Sequence, residues 1–298
     1  MPAHHPARRG QWPAMPELTI TPWTQSERFR DPARRLMFYL GTHRPWWLAK
    51  SPVPLCISAH TLANYRGRRG PEISGVPYII DSGAFTEIRD HGTWRWDEDE
   101  YGGMIYRLME DCGYPPCFVA PLDYPCESQV LARSGLSVRE HQEWTLESYR
   151  YLAREFPAAP WMPVLQGWTP EDYARHDAMY RKAGIELGAL PRVGLGSVCR
   201  RGSIRPVGVI AGMFAGRGYR LHGFGLKSTA LRAYASYFAS ADSLAWSYEA
   251  RVTERRLPGC RHAGPCNNCP RWAMHWRERV IGAIRASEGY VPPNTKGR

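Results

Sequence analysis

Four polar side chains stand out because each closes an apolar run. Asp81 ends YIID, Asp123 ends FVAPLD, Gln166 ends PVLQ, and Asp242 interrupts the small, apolar stretch FASADSLAW. A carboxylate at the end of a hydrophobic strand is poorly solvated and holds its proton more tightly than one in water. Two carboxylates on opposite sides of an anomeric carbon permit displacement at C1'. Aspartate with glutamine also matches the donors and acceptors on a purine edge. Each acid has a plainer reading as well: Asp81 and Asp242 as helix caps, and Asp123 as a turn residue. Together they point to glycosyl transfer or hydrolysis at a nucleoside.

A second group lies in GCRHAGPCNNCPRWAMHW. Cys260, His262, Cys266 and Cys269 place four zinc-type ligands within ten residues. His275 is an alternative fourth ligand on the helix expected after Pro270, although the compact set needs no second element. Four protein ligands leave no position for water, so the expected Zn2+ is a single structural ion. Arg66, Arg68 and Arg69 in NYRGRRGPE form a candidate phosphate-contacting loop, as do Arg200 and Arg201 after the GLGSVC run, with a solvated charge run as the plainer reading. Trp46 and Trp47 are candidates for stacking on a base or for packing. Cys126 and Cys199 have no evident activating partner and read as inert thiols.

These residues must be positioned by regular elements. Eight short runs rich in β-formers recur at residues 36–43, 54–60, 77–85, 117–124, 161–168, 192–199, 219–226 and 237–247. Between several of them the periodicity predicts helices over 101–111, 137–156, 170–183 and 229–238, with Thr169 as an N-cap before Pro170. Alternation of this kind predicts an α/β fold, a (β/α)8 TIM barrel with a C-terminal zinc-binding segment. An open doubly wound sheet is the alternative, but no GxGxxG follows the first strand. In a barrel, catalytic groups sit just past the carboxyl ends of strands, where Asp81, Asp123, Gln166, Gly196, His222 and Asp242 fall. The expected organisation is a flexible basic leader (1–30), the barrel core (31–250), a zinc segment with a terminal helix (251–290) and a polar tail (291–298).

Of the 298 residues, 43% are hydrophobic and 22% charged, as in ordinary globular proteins. No apolar run approaches the roughly 18 to 20 residues that span a bilayer. The basic start lacks the apolar core of a secretory leader, so the reading is a cytoplasmic chain with reduced thiols among its eight cysteines. Thirty-nine Lys and Arg against 28 acids give a net charge of +11, which favours a polyanionic partner.

The runs DSGAF (81–85), APLDY (120–124), PVLQG (163–167), GLGS (194–197), HGFGLK (222–227) and ADSLAWS (241–247), followed by the cysteine cluster, occur in one order. That order resembles the tRNA-guanine transglycosylases over roughly residues 36–280, and most closely the deazaguanine DNA transglycosylases of the DpdA type. The resemblance implies a zinc-containing TIM barrel that exchanges guanine for a 7-deazaguanine such as preQ0 and leaves the phosphodiester backbone intact. It implies Asp242 as nucleophile, Asp81 as acid/base, Asp123 and Gln166 as readers of the purine edge, and Gly194 and Gly196 as glycines whose backbone approaches the base. Ser82, Gly83 and His222 join the substrate-binding set. Here Ala84 and Thr86 stand where that family carries glycine and glutamine, and the zinc ligands are compact. These departures favour DNA over tRNA as substrate, with base exchange on tRNA and a non-catalytic nucleic-acid-binding barrel as alternatives. DNA-processing proteins are expected as further partners.

Overall fold

A computed structural model describes residues 36–65, 73 and 75–286. The leader, the tail and the Arg66, Arg68 and Arg69 loop lie outside the described residues. All eight expected runs contain strands: β1 (Met37–Thr42), β2 (Leu55–Ser58), β3 (Tyr78–Asp81), β4 (Phe118–Val119), β5 (Val164–Leu165), β6 (Val193–Leu195), β7 (Leu221–Gly223) and β8 (Phe238–Ser243). They form one parallel sheet in the order β4-β3-β2-β1-β8-β7-β6-β5. Its two end strands meet at a single parallel bridge, Val119 to Trp161, where Val119 N donates to Pro160 O at 3.0 Å and Met162 N donates to Val119 O at 2.9 Å. No longer ladder joins β4 to β5 among the described residues. The physical reason is local: Pro121, Pro160 and Pro163 flank the two-residue strands and lack the N–H that a ladder needs. The fold shown is therefore an eight-stranded parallel curled sheet with a narrow seam.

Side-chain alternation decides what faces inward. Phe38 and Leu40, Leu55 and Ile57, and Tyr78 and Ile80 join the large core between sheet and helices. Their neighbours Met37, Tyr39, Cys56 and Ile79 form a second cluster with Phe118 and Met162. Continuing that second parity puts Asp81 on the same face as Ile79. Ala241 belongs to the outer core, so Asp242 takes the inner face, in register with Tyr39. The register Ser58 to Asp81 likewise fixes the end of β3 beside that of β2.

Ten helices are described. The first six are α1 (Ala59–Ala63), α2 (Ala84–His91), α3 (Glu98–Cys112), α4 (Ser128–Ser134), α5 (Val138–Glu155) and α6 (Pro170–Lys182); α7 (Arg205–Ala215), α8 (Ser228–Tyr234), α9 (Ala245–Val252) and α10 (Pro270–Ala286) follow. Capping boxes start three of them, from Asp97 to Glu100, Ser137 to Glu140, and Thr169 to Asp172. Asp97 thus begins α3 three residues before the expected start. The helix expected over 229–238 is shorter, because Phe238 already belongs to β8. α7 was not expected: its sequence RPVGVIAGMFA is glycine-rich and β-branched. A Cβ on Gly208 would fall 2.4 Å from the Tyr234 ring, so glycine serves the close approach of α7 to α8 at the expense of helix propensity.

The segment between α9 and α10 is irregular and carries the cysteines. α10 lies against α8 and α9. Trp272 Nε1 donates to Trp246 O at 2.9 Å and Trp276 Nε1 to Glu249 Oε2 at 2.9 Å, with all three tryptophans fully buried. Burying each such side chain contributes roughly 1.5–3 kcal/mol, which fastens the cysteine-bearing segment to the sheet.

Candidate active site and metal centre

At the carboxyl ends of the strands lies a cavity of about 400 Å³, within the range of small-molecule sites. Asp81, Asp123 and Asp242 all face it, with Gly83, Gln166 and Gly196. The capping alternatives fail for Asp81 and Asp242. α2 is capped by Gly83, in a left-handed conformation (φ 86°), and α9 by Leu244, neither through an aspartate side chain.

Both carboxylate oxygens of Asp123 are held. Its Oδ1 accepts from Ser82 Oγ at 2.5 Å and its Oδ2 from Gln166 Nε2 at 2.5 Å. Ser82 is therefore buried behind Asp123 and does not line the cavity. Gln166 Oε1 accepts in turn from Ser197 Oγ at 2.7 Å, and His176 Nδ1 accepts from Gln166 N at 2.9 Å. A glutamine held at both ends of its amide cannot yield, and a Cβ on Gly196 would fall 2.3 Å from its Nε2. Gly196 is thus required by Gln166. Gly194 has another place: it does not line the cavity, and a Cβ there would strike the Phe224 ring at 2.7 Å.

Asp242 Oδ1 accepts from Gly225 N at 3.0 Å and sits 3.3 Å from His222 Nε2. His222 is fully buried behind the carboxylate, outside the cavity lining, with Nδ1 2.9 Å from Ser240 Oγ. Burial lowers its proton affinity against the pull of Asp242, so it faces the carboxylate as a neutral ring.

Two of the three acids hold their protons unusually tightly. Burial, then the neighbouring Asp123 and Asp242, push Asp81 up to about 8, against the N–H groups of Gly83 and Ser82. Burial raises Asp123 to about 6, against its bonds from Ser82 and Gln166. The charges of Asp81 and Asp123 repel, so their titration steps belong to the pair. Because the folded state binds the Asp81 proton more tightly than the unfolded chain, stability falls as pH rises from about 4 through about 8. Asp81→Asn, which cannot ionise, is expected to flatten that decline. Melting temperatures from pH 5 to 9 check it: the gain of the variant over wild type should grow with pH, and a constant difference would contradict the assignment.

Sequence reasoning missed several cavity residues. Glu127 is buried, and burial raises its carboxyl against Ser197, Arg200 and Arg201. Ser197 Oγ, already accepting from Cys126 N at 2.7 Å, has one proton for two acceptors, Gln166 Oε1 and, at 3.1 Å, Glu127 Oε2. A protonated Glu127, which burial favours, removes that conflict. Ser197 itself has φ 53°, a conformation uncommon outside glycine and held here by those bonds. His60 and His43 also line the cavity. His60 Nδ1 is 3.5 Å from buried Glu87, which Arg95 Nε grips at 2.6 Å. The only signals for these residues were position: Glu127 shares a loop with Asp123, and Ser197 follows Gly196.

The two arginines after β6 part company. Arg200 is exposed at the cavity lip, 3.8 Å above the Phe85 ring. Arg201 corrects the expectation that both present charge to nucleic acid. It is 5% exposed, with Nε donating to Ser197 O at 2.9 Å and Nη1 to Trp168 O at 2.8 Å. Its donors hold the loops after β5 and β6 together. Burial pushes the Cys199 thiol up to about 12 and raises Cys126 as well, so neither is a nucleophile near neutrality.

Cys260, His262, Cys266 and Cys269 bring their ligand atoms within 4.8 Å of one another. Cys260 Sγ is 3.7 Å from both Cys266 Sγ and Cys269 Sγ, and Cys266 Sγ is 3.5 Å from His262 Nε2. Thiolates about 2.3 Å from a tetrahedral ion lie about 3.8 Å apart, so the donor set fits zinc. His275 stands outside the cluster, on the exposed side of α10.

The family model described as DeoxyPurine in DNA protein A, DpdA, matches residues 34–295. The chain belongs to that family. DpdA proteins are a tRNA-guanine transglycosylase-like family of DNA deazaguanine transglycosylases, in agreement with the order of motifs read from the sequence. No curated protein matches the chain. The DpdA match runs through the sheet, the cavity and the cysteine cluster alike. No helix among the described residues of this DpdA chain is long and apolar enough to cross a membrane.

Proposed function

We propose that this DpdA protein exchanges guanine in DNA for a 7-deazaguanine base such as preQ0 through a covalent intermediate on Asp242. The observation that carries the reading is the convergence of three carboxylates on one cavity, two of them, Asp81 and Asp123, with raised proton affinity, and with Gln166 fixed beside them. We read the seam at Val119 and Trp161 as the closure of a TIM barrel whose active face is this rim.

The target nucleotide must leave the stack, since C1' is inaccessible within it. Asp123 is an acceptor suited to the N1–H and N2–H donors of guanine, and its carboxylate oxygens have lone pairs beyond those used by Ser82 and Gln166. An oxygen of Asp242 forms a bond to C1' while the C1'–N9 bond breaks, and its electron pair leaves with the base. Asp81, protonated near neutrality, supplies the proton that makes the departing guanine neutral. In the reverse sense, Asp81 takes the N9 proton of the incoming deazaguanine, N9 attacks C1', and Asp242 is released. Two inversions retain configuration. Gly225 N and neutral His222 orient Asp242 for both steps. Zinc held by Cys260, His262, Cys266 and Cys269 supplies structure to the terminal segment and takes no part in bond making. Arg200, and Arg66, Arg68 and Arg69 in the undescribed loop, are proposed phosphate contacts.

The test is incorporation of labelled preQ0, or release of labelled guanine, with duplex DNA, single-stranded DNA and unmodified tRNA side by side. Label entering DNA supports the reading. Label entering only tRNA transfers the chemistry to RNA, and no label in any substrate favours a binding protein.

A further inference from the structure

Trp46 and Trp47 are adjacent in sequence and opposite in environment. The 3-10 turn Pro45–Ala49 buries Trp47 (2% exposed) and leaves Trp46 48% exposed, edge-on to its neighbour at 5.9 Å. Between this turn and the start of α10 runs a groove of about 500 Å³, separate from the catalytic cavity. Trp46, Pro52 and Met274 give it apolar walls; Lys50, Arg271 and His275 give it nitrogen donors, against one acid, Glu278. Arg271 places Nη1 3.7 Å from Cys260 Sγ, and its other guanidinium nitrogens are not so used.

An exposed indole beside the cations Lys50 and Arg271 suits one kind of ligand, a flat apolar ring carrying an anion. That is the chemistry of a nucleobase with its phosphate. The groove and the active site lie on either side of one aromatic stack. Trp47 stacks on Trp246 at 5.4 Å, Trp246 stacks on His43 at 6.3 Å and 10°, and His43 lines the catalytic cavity. A strand that places one nucleotide in the cavity therefore passes close to the groove.

We infer that this groove binds an unstacked nucleotide of the DNA strand beside the target, its base on Trp46 and its phosphate at Lys50 and Arg271. The identity of the strand rests on the DNA reading above; the binding itself does not require exchange. Oligo(dT), which offers no guanine, is the probe, titrated into the full zinc-loaded chain by fluorescence anisotropy. Trp46→Ala is expected to weaken binding by about 5- to 150-fold, the loss of one base–aromatic stack. Trp46→Phe should restore most of it, and Lys50→Glu should weaken binding and flatten its salt dependence. Guanine binding to the catalytic cavity should be unchanged in all three, which separates the groove from the fold. Wild-type affinity in Trp46→Ala, no rescue by phenylalanine, or no oligo(dT) binding by the parent chain, as when another segment fills the groove, would overturn the inference. Trp46-dependent binding without base exchange sinks the transglycosylase reading alone; exchange without Trp46 dependence sinks the groove alone.

Discussion

Asp242→Asn is expected to reduce base exchange by at least about a thousandfold, because the amide cannot form the bond to C1' that divides the reaction into two displacements. The substitution is nearly isosteric, and Asn keeps an Oδ1 able to accept from Gly225 N, so the cavity should survive. Guanine binding should therefore persist while turnover disappears. Wild-type protein mixed with guanine-containing DNA and denatured in the absence of free base should carry DNA covalently on its chain, and the variant should not. Exchange that continues in Asp242→Asn, or an adduct that still forms, would remove Asp242 as nucleophile. Asp81→Asn should behave differently: with the adjacent proton donor gone, attack stalls at departure of the base, and the adduct is scarce because it forms slowly.

The contrast depends on an arrangement only partly legible in the sequence. A polar residue closing an apolar run is visible in the letters, and period-two alternation then places Asp81 and Asp242 on the inner parity of their strands. That is why the outline of the site was readable. Groups that reach the cavity from loops carry no such period. Glu127 is four residues beyond Asp123, and its burial depends on Ser197 and Cys199 some 70 residues away. Arg200 and Arg201 are indistinguishable as letters, and only the carbonyls of Gly167, Trp168 and Ser197 decide which one is buried. α7 escaped for the opposite reason, since its glycines answer to Tyr234 and Tyr237 rather than to its own helix.

The raised Asp81 also sets an expected pH limit. In the proposed mechanism Asp81 gives up its proton as guanine leaves, so exchange is expected to fall as pH rises through about 8. The attack proposed for Asp242 uses its carboxylate form. In the proposed reaction, water admitted to the cavity would hydrolyse the intermediate and leave an abasic nucleotide, so the buried wall of Gln166, Ser197 and Glu127 would matter as much as the nucleophile.

The cysteine cluster acts on the same site from outside. Its loop contributes Asn268, whose Oδ1 accepts from His43 Nε2, and Asn267, whose carbonyl accepts from Ser247 Oγ at 2.7 Å. Cys266 N donates to Arg255 O, and Leu257 N to Cys266 Sγ at 3.3 Å, so one short loop ties α9, α10 and the cavity wall together. Cys266→Ser is therefore expected to lose bound zinc and to free the segment from 253 to 286, exposing the Trp272 and Trp276 faces that now cover β1 and α9. The cost should be several kcal/mol in urea unfolding, given that structural zinc supplies folding free energy directly. Hydrogen exchange should accelerate first in α10 and the cluster loop, then at residues 43–47, before the far strands β3 to β5 respond. His275→Ala should retain one zinc per chain and His262→Ala should not. Zinc lost from His275→Ala would make His275 a ligand in place of the compact set, and unaltered stability in Cys266→Ser would mean that the segment is held by its tryptophans alone.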